Sequence, residues 1–197
     1  MTPEGADRLR DASCGRLWAC GRLKRRLVRA RGAPIFPDDT AMEPLVSDLA
    51  LRPNVPFDLA PLARLLVAAD DLALVNPNAK HPFDPLEWRE KWLNEADDAS
   101  FYLVDATGRE VGFFALRVGI GPEVRHLVYV FVEAAARGGA GAQLAALAEQ
   151  AARDLGAISV TLKVELDNEP ALRVYEAAGY EELGRRNGMA TMRRDWG

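Results

Sequence analysis

Nine small or charged residues, Ala134-Ala135-Ala136-Arg137-Gly138-Gly139-Ala140-Gly141-Ala142, separate the apolar run Val124–Val132 from a long amphipathic stretch. Glycine and alanine let a backbone approach a ligand closely. A helix beginning there offers unpaired N–H groups and the positive end of its dipole. These residue types in this order make an anion site, although a tight helix start holding nothing has the same composition. Two nucleotide motifs are excluded. No Lys-Ser or Lys-Thr follows the loop, as a hydrolytic P-loop requires. The dinucleotide fingerprint needs its glycines near the start of a parallel sheet, whereas this loop follows a hairpin pattern.

Three other residues carry chemistry. His126 enters the apolar run, with Glu123 and Glu133 at its ends. Of these, histidine titrates nearest neutrality and is the first choice for a general base. Asn168 stands where it can cap a helix beginning at Glu169. Tyr175, flanked by Leu172 and Val174, reads from its neighbours alone as a packed aromatic on that helix.

The elements that must position these residues follow from periodicity. Asp48–Arg52 alternates as a half-buried strand does. Asp58 is placed to cap a helix with Leu59, Leu62, Leu65 and Leu66 on one face. After the loop Asn76–Pro82, Asp84 and Pro85 start a second helix, with Glu87 as its capping-box acid and Leu86, Trp88, Trp92 and Leu93 inside. Strands Ser100–Val104 and Glu110–Arg117 flank the turn Asp105–Gly108. Val124–Val132 is apolar enough to be central and covered on both faces. A helix then runs to Gly156. Ile158, Val160, Leu162 and Val164 alternate in a further strand, and the Glu169–Ala178 helix ends at Gly179. Tyr180–Arg186 and Ala190–Arg194 turn at Asn187-Gly188.

Arg137-Gly138-Gly139-Ala140-Gly141-Ala142, placed after a central strand, resembles the acetyl-CoA loop of the GNAT superfamily of N-acyltransferases. Asn168-Glu169-Pro170-Ala171-Leu172-Arg173-Val174-Tyr175-Glu176-Ala177-Ala178-Gly179-Tyr180 resembles that superfamily's Asn-x-x-Ala-x-x-x-Tyr-x-x-x-Gly-Phe/Tyr segment. The likeness covers about residues 47–195. It implies an α/β (α+β) fold, a mixed and mostly antiparallel sheet of six to seven strands with helices on both faces, in the order β-α-α-β-β-β-α-β-α-β-β. It implies an acetyltransferase that uses acetyl-CoA and no metal, moving the acetyl group to a primary amine of a small molecule or peptide by direct attack. On this pattern Tyr129, Val130, Phe131 and Val132 supply backbone groups to the cofactor arm. Arg137, Gly138, Gly139, Ala140, Gly141 and Ala142 meet its phosphates, Asn168 and Arg173 assist, and Tyr175 protonates the leaving thiolate. Two alignments compete: Arg137 in the family's arginine place, with Ala140 and Ala142 where glycines are usual, or Gly139 and Gly141 as the glycine pair, with Ala136 replacing the arginine. A catalytically silent acyl-CoA-binding or protein-interaction module is the alternative.

Composition fits a single body behind a distinct leader. The chain has 197 residues, a net charge of −4 and a pI near 5.3, which argues against a nucleic-acid partner. Residues 1–41 carry nine Lys/Arg against five acids and hold both cysteines, Cys14 and Cys20. They are expected to form a poorly ordered basic extension, with the acetyltransferase domain at 42–197. Two cysteines and two histidines suit neither a disulfide framework nor a zinc site. No apolar run reaches the ~18–20 residues of a membrane span. A cytoplasmic monomer or homodimer is expected.

Overall fold

A computed structural model of the chain describes residues 48–196, so the expectations for residues 1–41 lie outside the described residues. Seven strands form one sheet: β1 (Ala50–Pro53), β2 (Ala99–Val104), β3 (Glu110–Val118), β4 (Val124–Val132), β5 (Ser159–Glu165), β6 (Glu181–Arg186) and β7 (Met189–Asp195). Their order across the sheet is β1-β2-β3-β4-β5-β7-β6. Every pairing is antiparallel except β4 with β5. The mixed α/β architecture expected from the sequence is the one observed.

Both faces are covered. On one lie α4 (Ala140–Asp154) and α5 (Glu169–Ala177). The α4 residues Ala140, Leu144, Ala145, Ala148 and Ala152 recur at helical spacing and are buried with Leu127, Val130, Leu162 and Met192. Gly156 ends that helix with φ +78°, a left-handed conformation that costs glycine nothing. The opposite face holds α1 (Ala60–Leu65), α2 (Ala69–Val75) and α3 (Pro85–Glu87), the last running into a π-turn at Trp88–Trp92. Leu62, Leu66, Leu72, Val75 and Trp88 pack there on Phe113, Val128 and Phe131. A central strand sandwiched this way is apolar nearly throughout, as β4 is.

The first crossover departs from expectation. It contains three short helices, not two, because the chain leaves α1 at Leu66 and starts again at Ala69. Leu59, not Asp58, occupies the capping position of α1, although the Asp58 carboxylate still accepts the Ala60 N–H at 2.9 Å. Asp84 caps α3 through the Leu86 N–H, as its position before Pro85 predicts. Leu86 itself is exposed. Glu87 forms no capping box; it is buried, accepting the Lys80 N–H at 3.0 Å and pairing with Lys91. Ile158 keeps the parity of Val160 but precedes β5 and is exposed.

Candidate active site

Two irregularities in β4 create the site. The first is a bulge. Phe113 pairs with Phe131 and Ala115 with Val128, so Phe114 alone faces Tyr129 and Val130. Tyr129 takes φ +54°, which costs a bulky residue about 1–3 kcal/mol. Packing holds it there: its ring meets Trp88 edge-on at 5.2 Å, and the Arg117 guanidinium lies 5.1 Å from its centroid.

The second irregularity is a fork. β4 pairs with β5 only from Val124–Ser159 to His126–Thr161. Beyond His126 the strands part, and β5 continues on β7 through Glu165. Glu133 N–H donates to Val111 O on β3, and backbone groups alternate in direction along a strand. Val130 and Val132 therefore turn their N–H groups away from β3, into the gap. This is a row of donors facing a slot.

The slot leads to the start of α4. After β4 comes a 3₁₀ turn, Ala134–Ala136, then Gly139 with φ +78° as the residue before the helix. Among the described residues no side chain caps α4. Its first-turn amides at Gly141 and Ala142 have no carbonyl one turn back to bond, so they remain donors for an external acceptor. Arg137 folds back on the strand end. Its Nε donates to Val132 O at 2.7 Å, its guanidinium lies 3.7 Å from Asp71, and it covers the Phe131 ring. Next to the helix start, a groove of about 610 Å³ runs between α4 and α5, lined by Ala142, Ala146, Pro170, Arg173 and Val174.

At the fork, His126 Nδ1 lies 2.9 Å from Thr161 Oγ1. Burial, aided by the positive charges of Lys163 and Arg117, pushes its pKa down to about 4. It is neutral at physiological pH and a weak proton acceptor. Glu133 is paired with Arg109, and Glu123 is exposed at the opposite end of β4. Asn168 caps α5, accepting the Ala171 N–H at 3.3 Å. Arg173 pairs with Glu169 on the exposed face of that helix. Tyr175 is buried in the same cluster as Val130 and Val132, its ring edge-on to Tyr180 at 5.3 Å.

The sequence profile of the acetyltransferase (GNAT) family matches residues 66–180, more than half of the chain. The chain belongs to the GNAT family. An N-acetyltransferase of Methanocaldococcus jannaschii, described only as uncharacterized, is 32% identical over 101 residues, 48% of this chain and 45% of that protein. The mycothiol acetyltransferase of Thermomonospora curvata is 35% identical over 92 residues, 46% of this chain and 30% of that one. The chain thus spans less than half the length of either relative. Among solved structures, the spermidine N-acetyltransferase of Vibrio cholerae, in complex with CoA and spermine, superposes with a TM-score of 0.59 at 19% identity. That match covers 75% of this chain and 95% of that chain. A domain from Methanocaldococcus jannaschii gives 0.60 at 13% identity, covering 76% and 99%. Identities this low speak for the GNAT fold alone.

The fold therefore brings Val130, Val132 and the Arg137–Ala142 loop to the β4 edge of the fork, with Tyr175 in the same core cluster and Asn168 following β5 on the other edge, while the side chains of Tyr129 and Phe131 pack on the opposite face. It places His126 at the apex and Arg173 along the outer groove. Sequence reasoning missed the bulge, since a tyrosine gives no sign of positive φ. It also missed Arg117 and Lys163, which surround His126 only once β3, β4 and β5 are side by side. Among the described residues no helix is long and apolar enough to cross a membrane, and no cluster of ligating side chains could hold a metal.

Proposed function

We propose that this chain is an N-acetyltransferase that moves an acetyl group from acetyl-CoA to a primary amine of a small molecule or a peptide. The observation that carries the reading is the parting of β4 from β5 beyond His126, with the uncapped start of α4 at the mouth of the slot. An extended thioester arm fits a gap lined by unpaired strand amides. A pyrophosphate fits a bare helix start.

In this reading the first-turn amides of α4, after Gly138 and Gly139, receive the phosphates. The left-handed φ of Gly139 favours the Gly139-Ala140-Gly141 alignment, in which Arg137 braces the loop by holding Val132. Arg173 and the α4–α5 groove serve the nucleotide end. Val130 and Val132 N–H groups hold the arm and can stabilise charge developing on the thioester oxygen. The acceptor amine attacks the thioester carbon, the C–S bond breaks, the Tyr175 phenol gives its proton to the departing sulfur, and the proton shed by the acylated nitrogen restores the phenol. Asn168 fixes the start of the helix that carries Tyr175. His126 is better suited to hold the fork closed through Thr161 than to deprotonate an amine, because a base with a pKa of about 4 keeps a proton poorly at neutral pH. With both cysteines confined to positions 14 and 20, a reducing cytoplasm is the compartment we infer.

The test combines melting temperature with turnover. Acetyl-CoA should raise the melting temperature of the full chain. A panel of amines, polyamines and amino acids included, should release free CoA thiol with at least one acceptor. Binding without turnover across the panel would favour the silent acyl-CoA-binding module. No thermal shift at millimolar acetyl-CoA would overturn both.

A further inference from the structure

A cavity of about 730 Å³ lies at the far edge of the sheet, between β1–β2 and the C-terminal half of α4. Its walls are apolar, with Leu51, Phe57, Phe101, Leu147 and Leu155 among them. Glu95, Asp98 and Asp154 also line it, and among the described residues no lysine or arginine does. Asp98 is paired with Arg117 at 3.2 Å, which leaves Glu95 and Asp154 to set the sign of the rim. Val55, beside it, is 84% exposed. An apolar trough on an edge strand is a surface that folded proteins normally cover.

The chain itself leads to this trough. Leu49 N–H donates to Gln143 Oε1 at 2.9 Å, which ties the segment entering β1 to the first turn of α4. Leu147, on the trough wall, is one helical turn further on, about 6 Å. Forty-seven residues precede the described part, and their charge opposes the rim. Arg16–Arg31 contains seven Lys/Arg and no acid, with Leu23 and Leu27 four apart among them. The sixteen residues joining Arg31 to Asp48 span up to roughly 50 Å when extended. The trough side of α4, from Leu147 to Leu155, is about 12 Å long. Reach is no obstacle.

We infer that the basic segment Arg16–Arg31 docks in this trough of its own chain. Leu23 and Leu27 sit against the apolar wall, and the surrounding arginines face Glu95 and Asp154. The segment covers the sheet edge opposite β6, away from the cofactor slot.

Cys14 and Cys20, the chain's only thiols, supply the probe. The full chain carrying Cys14→Ser takes a nitroxide at Cys20, and amide resonances report its neighbourhood. Resonances of residues 51–57 and 147–155 should broaden, while those of 181–186, on the opposite edge of the sheet, stay sharp. Uniform broadening, or none at the trough, would overturn the inference. In a mixture of nitroxide-labelled chains with isotope-labelled, nitroxide-free chains, broadening at the trough would assign it to a second copy and overturn docking in cis. Glu95→Lys with Asp154→Lys should lower the docked-to-undocked ratio about tenfold, as expected for reversing two partly exposed charges. Arg25→Glu with Arg26→Glu should do the same while leaving every described residue intact. Unchanged broadening in that second variant would sink the proposed charge pairing.

Discussion

Replacing His126 by glutamine separates the two roles open to this residue. The imidazole has a pKa of about 4 in the fold, against about 6.5 in an unfolded chain. Between those values the unfolded chain binds more protons than the native one, so stability must rise with pH across that window. Above about pH 6.5 the neutral ring costs nothing. As the pH falls toward 4 the fold is penalised progressively, to a limit of roughly 3 kcal/mol at 1.36 kcal/mol per decade. The causes are burial, then the facing charges of Lys163 and Arg117. The assay is urea unfolding of wild type and His126→Gln at intervals from pH 4 to 7. Glutamine can still bond Thr161, and the carboxylates that also titrate here cancel in the difference. Wild-type stability minus variant stability should drop by about 2–3 kcal/mol from pH 7 to pH 4. Above pH 6 the two rate–pH profiles should share one shape. A stability difference that does not change with pH would refute the burial argument. A neutral-pH limb in the rate profile that vanishes in the variant would restore His126 as the base.

Three further outcomes test the rest of the site. Ala142→Glu places a carboxylate in the exposed first turn of α4, where the dipole favours it by about 0.3–1 kcal/mol, so the melting temperature of the free protein should hold or rise. Acetyl-CoA affinity, measured by calorimetry, should nevertheless fall about tenfold or more, since the new charge faces the phosphates. Tyr175→Phe should keep the buried ring and lower kcat by about 10–1,000-fold with little change in acetyl-CoA affinity; an unchanged kcat with chemistry rate-limiting removes Tyr175 from the mechanism. Asn168→Ala should cost about 1 kcal/mol in unfolding experiments, the usual loss for a missing cap.

What the sequence made legible was whatever local chemistry decides. Turn dipeptides, the Asp84 and Asn168 caps and the Gly156 and Gly179 stops each act within a few residues, so the limits of α4, α5, β4 and the final hairpin follow closely from them. The first crossover was harder, because α1 and α2 owe their break to packing on the sheet and carry no side-chain caps. Glu87 misled for a related reason. Its spacing from Asp84 is that of a capping box, yet its carboxylate is recruited by the Lys80 backbone across a loop. The loop and the Tyr175 helix were readable as motifs. That His126 sits among cations was not, since Arg117, His126 and Lys163 come from three strands.

The bulge at Tyr129 also acts as a parity switch. Leu127 faces the α4 side of the sheet and Val128 the other; Tyr129 then repeats the second side before Val130 resumes the first. One surplus residue thus decides which side chains of the last four in β4 enter which core, and which of their amides look into the slot. Because apolar residues occupy both sides, the strand could lose that residue and still pair with β3. Losing it leaves the faces from Val130 onward as they are. Keeping every residue but running without the bulge would put Tyr129 and Phe131 on the α4 side and Val130 and Val132 on the other, so that core and slot exchange their occupants.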